Sequence, residues 1–184
     1  ADALLIIALA GGPLRPLRDL LDRCGNAANA LSAGAATWRE IGCTPAQRSA
    51  LAHPDAAALD RAHHWLQHPR HHLLGWRDTD YPPLLRDSTN PPPMLFVDGD
   101  PALLWRPAIA MVGSRAPSAG GRDNARDFAA ALASAGIAIA SGLAAGIDAA
   151  AHKAALAANG TTFAVIGTGP DIAYPRHHGP LQEQ

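Results

Sequence analysis

Ile137-Ala138-Ile139-Ala140-Ser141-Gly142-Leu143-Ala144-Ala145-Gly146-Ile147-Asp148 is a short apolar run that ends in a Gly-rich loop and passes directly into a helical pattern. The run is too short for a buried helix and too continuous for a half-exposed strand, so it reads as a strand covered on both faces. The same grammar recurs on either side. Upstream, Ala108 to Val112 is an apolar strand followed by Gly113-Ser114-Arg115-Ala116-Pro117-Ser118 and a helix from about Gly121 to Ala135. Downstream, a helix over Asp148 to Ala158 leads to a third strand, Thr162 to Ile166, which ends in Gly167-Thr168-Gly169. Strand, loop, helix and strand in this order predict a parallel α/β sheet of the Rossmann-like kind.

In a parallel sheet all three loops lie along one carboxyl edge, where ligands of open α/β sheets bind. The first two precede helices, whose N-terminal N–H groups and positive dipole end favour an anion. Gly113, Gly142, Gly146, Gly167 and Gly169 allow close backbone approach. Ser114, Ser118 and Ser141 add hydroxyls, and Arg115 adds a formal charge. Tight strand-to-helix turns would explain the glycines of one loop. Three loops on one edge together with an arginine point to a phosphate-reading rim. The ligand is neither NAD nor a P-loop nucleotide. No G-x-G-x-x-G follows the first strand, Ser141 stands where a ribose-binding acid is expected, and G-x-x-x-x-G-K-[ST] does not occur.

The rest of the chain sets the context. Residues 1–75 read as a small helical module. Leu4, Leu5 and Leu9, then Leu17, Leu20 and Leu21, recur at helical spacing. Thr44-Pro45-Ala46-Gln47 has the form of a capping box, and a further helix fits Asp55 to Gln67. Residues 76–107, with Tyr81-Pro82-Pro83 and Pro91-Pro92-Pro93, read as an extended connector packing on the next domain, with a short strand at Met94 to Val97. Residues 108–184 are the N-terminal part of the sheet domain. Its three strands fall short of the roughly five or six of a doubly wound sheet, so the sequence reads as part of a longer chain.

Composition narrows the classes. With 48% hydrophobic residues among 184, a packed core is expected. Fifteen basic and sixteen acidic residues exclude a strongly basic binder at whole-chain level, so phosphate binding must be local. Lysine occurs once, at Lys153; the arginine bias suits bidentate phosphate contacts, and a GC-rich genome explains it equally well. Cys24 and Cys43 stand apart and read as buried small hydrophobes in a reducing compartment. No apolar run approaches membrane-spanning length, so the expectation is a cytoplasmic protein without membrane association.

The motifs carry a family resemblance. Gly113-Ser114-Arg115, Ser141 to Asp148 with Ala151-His152, Gly160 to Val165, and Asp171 with Tyr174-Pro175 come in the order and spacing of the DNA processing protein A family. Trp76, Asp80-Tyr81-Pro82, Pro91-Pro92 and Leu95-Phe96 resemble its lead-in, so the likeness spans about residues 76 to 181. The N-terminal helices resemble the sterile-alpha-motif-like module of many members. The resemblance implies an extended Rossmann domain, incomplete here, that binds single-stranded DNA without sequence preference, protects DNA taken up in natural transformation and loads the recombinase RecA. It implies a homodimer in the full-length protein, with RecA contacts beyond these residues, no cofactor, and phosphate contact by Arg115. Two departures occur: the tyrosine usual after the loop serine is replaced around Gly120, and Pro170 stands where leucine is usual.

Other chemistries are weaker. His63, His64, His68, His71 and His72 include an i, i+4 pair, yet no carboxylate or Cys completes a metal set and Pro69 breaks the helix; they read as a solvated surface, as do His177 and His178. Asp148 and His152, one turn apart, read as structural groups at the site: the carboxylate caps its helix and orients the turn, and the imidazole bonds nearby. Arg122 and Arg126 share a helix face and read as solvated. Trp38, Trp65, Trp76 and Trp105 read as packing residues in preference to base-stacking platforms. The alternative is an enzyme like the nucleoside-monophosphate phosphoribohydrolases. Its Pro-Gly-Gly-x-Gly-Thr segment and catalytic Glu are missing, since no Glu lies between Glu40 and Glu183. The expectation is a binding protein and not an enzyme.

Overall fold

In the computed structural model, which describes residues 2–184, the apolar spacing at the start of the chain folds into short helices. They are α1 (Asp2–Leu9), α2 (Leu14–Cys24), α3 (Ala27–Ser32), α4 (Gly34–Ile41), α5 (Pro45–Ala52) and α6 (Ala56–Leu66). Leu17, Leu20 and Leu21 share the buried side of α2 and pack with Ile7, Trp38, Cys43 and Leu51. The Trp38 indole N–H, inside this core, donates to Ala30 O at 2.8 Å. The capping box forms as the sequence predicts. Thr44 Oγ1 accepts from the Gln47 N–H, and Gln47 Oε1 accepts from the Thr44 N–H. Asp55 caps α6 by accepting from the Ala58 N–H.

Two strands follow these helices. β1 (His71–Gly75) pairs antiparallel with β2 (Met94–Asp98), His71 opposite Asp98, with a short helix α7 (Pro83–Arg86) between them in the chain. Tyr81 is fully buried, and its hydroxyl donates to Pro92 O at 2.7 Å. Burial pushes the phenol up to about 12. Strand pairing and this buried ring keep residues 76–100 with the helices. The first unit therefore closes at Asp100, later than the end of helical periodicity near residue 75. His71 is not solvated: it stacks on Trp65 with ring centroids 3.9 Å apart, and its Nδ1 lies 2.6 Å from Trp65 O.

The second unit, Pro101–Gln184, holds the parallel sheet. After a 3-10 turn (Pro101–Trp105) come β3 (Ala108–Ala110), α8 (Ala119–Ser134), β4 (Ala138–Ser141), α9 (Ile147–Ala157) and β5 (Thr162–Ala164). A 3-10 turn (Arg176–His178) and α10 (Gly179–Gln182) complete it. The strand order is β3-β4-β5, every pair parallel, with Ile109 opposite Ile139 and Ala140 opposite Phe163. β3 and β5 are shorter than their apolar runs because β4 ends at Ser141. Single bonds, Met111 N–H to Ala140 O and Val165 N–H to Ser141 O, close the ladders, leaving Val112 and Val165 exposed. Ala129 and Ala133 of α8 pack with Ala151 and Ala155 of α9 around Ile139. Among the described residues no helix is long and apolar enough to cross a membrane.

Candidate functional site

The parallel register brings the ends of β3, β4 and β5, and the loops after them, to one edge of the sheet. The first two loops are physically joined. The Ile147 N–H, at the start of α9, donates to Ser114 O at 3.1 Å. Gly146 makes the junction possible, with φ of 86° and ψ of −121°. A Cβ there would fall 2.2 Å from Ser114 O, so any larger residue would force the loops apart. At Gly113 a Cβ would meet the Ile147 side chain at 2.8 Å. These two glycines thus let one loop approach the other.

The remaining predicted residues divide into frame and surface. Ser141 is buried, and its hydroxyl donates to Met111 O at 2.6 Å; it ties β4 to β3 and offers nothing outward. The Gly142 N–H donates to Asp148 Oδ2 at 3.1 Å, and the Ala144 N–H donates to the same oxygen at 3.3 Å. Asp148 therefore orients the turn as expected, but Gly146, and not Asp148, occupies the cap position of α9. His152 bonds nearby, its Nδ1 lying 2.6 Å from Thr162 Oγ1. Ser118 is the N-cap of α8 and accepts from the Gly121 N–H at 3.1 Å. Ser114 Oγ accepts from the Ala116 N–H at 3.1 Å, and its own proton stays available to a ligand.

The surface members are few. Arg115 is exposed and makes no ion pair or side-chain hydrogen bond among the described residues. It does not pair with Asp148, whose Oδ2 serves the turn. The N–H groups of Ala145 and Gly146, at the α9 N-terminus, take no acceptor among the described residues. Gly167 and Gly169 are exposed in a third turn, closed by Ile172 N–H to Gly169 O at 2.9 Å and Thr168 Oγ1 to Ile172 O at 3.1 Å. Val165 leads into that turn, and its carbonyl lies 3.9 Å from where a Cβ on Gly142 would stand. On α8, Arg126 is paired with Asp123, so only Arg122 of that face stays open. Among the described residues the edge is thus an open rim carrying the unpaired Arg115 guanidinium, a free hydroxyl proton and unpaired N–H groups. An anion fits such a set.

The family model described as DNA recombination-mediator protein A matches residues 72–184, well over half of the chain. The chain belongs to this family. Protein Smf of Escherichia coli (strain K12) is 46% identical over 117 residues, 64% of this chain and 31% of that protein. DNA processing protein DprA of Streptococcus pneumoniae is 44% identical over 106 residues, 58% of this chain and 37% of that one. The X-ray structure of DNA processing protein A from Streptococcus pneumoniae resembles the fold with a TM-score of 0.80 and 30% identity. It covers 100% of this chain and 63% of that chain. The aligned part is about a third of the length of these curated relatives. Within the family match, sequence reasoning missed His178, a buried group whose Nδ1 lies 2.8 Å from Leu143 O. No local pattern links residues 35 positions apart.

Proposed function

We propose that this chain holds single-stranded DNA along the carboxyl edge of its parallel sheet, gripping the sugar–phosphate backbone without sequence preference and without chemical turnover. Arg115 carries the reading. An exposed guanidinium with no protein partner, beside unpaired N–H groups at a helix start, suits a phosphate oxygen better than any neutral ligand. Family membership supports DNA as the source of that phosphate, because relatives are named DNA processing proteins. By the same membership we extend the role to protecting incoming DNA in transformation and passing it to RecA, in the cytoplasm and as a homodimer. The non-catalytic reading is supported by Asp148, which is buried with one oxygen taken by two N–H groups, and by His152, whose Nδ1 is taken by Thr162. A phosphoribohydrolase needs a carboxylate free to act on the sugar.

The test is titration of labelled single-stranded and double-stranded oligonucleotides at two salt concentrations, with melting temperature measured on the same samples. Arg115→Ala is expected to weaken single-strand binding by about 1.5–3 kcal/mol. Its log–log salt slope should shrink by about 0.7 for one phosphate lost. Melting should not change, since Arg115 has no internal partner. Arg115→Lys should restore part of the affinity, keeping the charge but not the fork. Unchanged affinity in a folded Arg115→Ala protein removes this residue from the site. Release of base from nucleoside monophosphates, lost on changing Asp148 or His152, overturns the non-catalytic reading.

A further inference from the structure

Leu143 sits in the left-handed region at φ of 59°, where a branched side chain is strained, and it is almost fully buried. Such a residue persists only when its surroundings over-determine it. Here the N–H groups of both neighbouring residues and its own carbonyl are bound by side chains. Asp148 Oδ2 accepts from the Gly142 N–H and the Ala144 N–H, before and after Leu143. On the other side His178 Nδ1 lies 2.8 Å from Leu143 O. A carbonyl only accepts, so this nitrogen carries the proton and donates. Asp148 and His178 are themselves buried, at 6% exposure each. His152 of α9 lies near both Asp148 and His178, and Lys153 and His177 line one cavity with His178.

We infer that His178 is a positioning residue for the Gly-rich turn: with Asp148 it clamps Leu143 in its left-handed conformation. The clamp keeps the next two N–H groups, those of Ala145 and Gly146, unpaired at the start of α9. The inference rests on the proposed DNA reading only for its functional consequence. Two side chains, one of them from 35 residues downstream, thereby set the shape of the turn. Asp148 arrives with its own helix; His178 makes the turn depend on the Arg176–His178 segment being in place.

Three variants of the full chain separate this role from packing. His178→Leu removes the donor. His178→Asn places an amide N–H near the Nδ1 position, and His178→Gln places it about one bond too far. Amide hydrogen exchange of Gly142 and Ala144 reads the clamp without any DNA, with Ala138 and Ile139 as an internal control of the sheet. Affinity for an oligothymidine reads the consequence. The expected result is faster exchange at Gly142 and Ala144 in His178→Leu, with binding weakened about tenfold, and recovery of both in His178→Asn but not His178→Gln. If His178→Leu fails to fold, the Asn and Gln variants decide. Equal behaviour of Asn and Gln, or undisturbed exchange in a folded His178→Leu, overturns the inference. Absence of DNA binding in the unaltered chain, with the exchange pattern as expected, overturns the DNA reading and leaves the clamp standing.

Discussion

His152 is held in a single tautomer by the hydroxyl beside it. Thr162 Oγ1 donates its only proton to Ile139 O at 2.7 Å, so the His152 Nδ1 at 2.6 Å must be the donor to that oxygen. Nε2 is then a bare lone pair, buried and with no hydrogen-bond partner among the described residues. Burial disfavours the charged ring and holds its pKa below the ordinary 6.5; the Asp148 carboxylate opposes this in part, and His178 adds to it. The folded chain therefore binds this proton less readily than the unfolded chain. The associated stability is fully present above about pH 6.5 and is lost as the pH falls through the lower folded value. Thermal melts from pH 7.5 to 5 should show a decline that is shallower in His152→Asn, whose amide can still donate to Thr162. Parallel slopes for the two proteins would mean that His152 does not titrate in this way.

At the scale of elements, Gln47 is the member of the helical unit with the most to hold. It is fully buried; its Oε1 closes the capping box of α5, while Nε2 donates to Gly11 O and Pro13 O, each at 2.8 Å. One amide thus fastens the α1–α2 turn to the start of α5. Gln47→Leu leaves two carbonyls and one N–H without partners and should cost about 2–4 kcal/mol. Urea unfolding followed by tryptophan fluorescence measures it, and a loss under about 0.5 kcal/mol, the range of an ordinary surface substitution, would contradict the assignment. The capping box was legible from Thr44-Pro45-Ala46-Gln47 because its partners are three residues apart; the tie to Gly11 and Pro13 was not, because it spans 36 and 34 positions. The same division runs through the molecule. The β3-α8-β4-α9-β5 succession is local periodicity and was readable. β1 was not, since His71-His72-Leu73-Leu74-Gly75 has no alternation and its partner strand lies beyond two proline clusters. At the candidate site, the placing of Arg115 and the Gly-rich loops on one sheet edge was readable. The inward roles of Ser141 and Gly142, and the part played by His178, depend on contacts that only the folded chain brings together.

For the molecule as a whole, a formal net charge of −1 supplies no long-range attraction for a polyanion. On the proposed DNA reading, affinity must therefore come from the geometry of the rim, and that geometry exists before any ligand arrives. Ser114 O is already bonded to the Ile147 N–H, and Leu143 is already held from both sides. The calorimetric signature should follow. Segments that fold on binding bury roughly 1,000–3,000 Å² and give a strongly negative heat-capacity change. A rim joined in advance orders no segment and covers little apolar surface. Its binding enthalpy for oligothymidine, whose bases stack weakly, should stay nearly constant between 10 and 30 °C (about the range that isothermal titration covers easily). A steep fall of enthalpy with temperature would mean that the junction at Gly146 opens and re-forms around the strand. A flat line would mean that the ordering entropy of the two loops is lost once, when the chain folds, and is not charged again to each DNA molecule that binds.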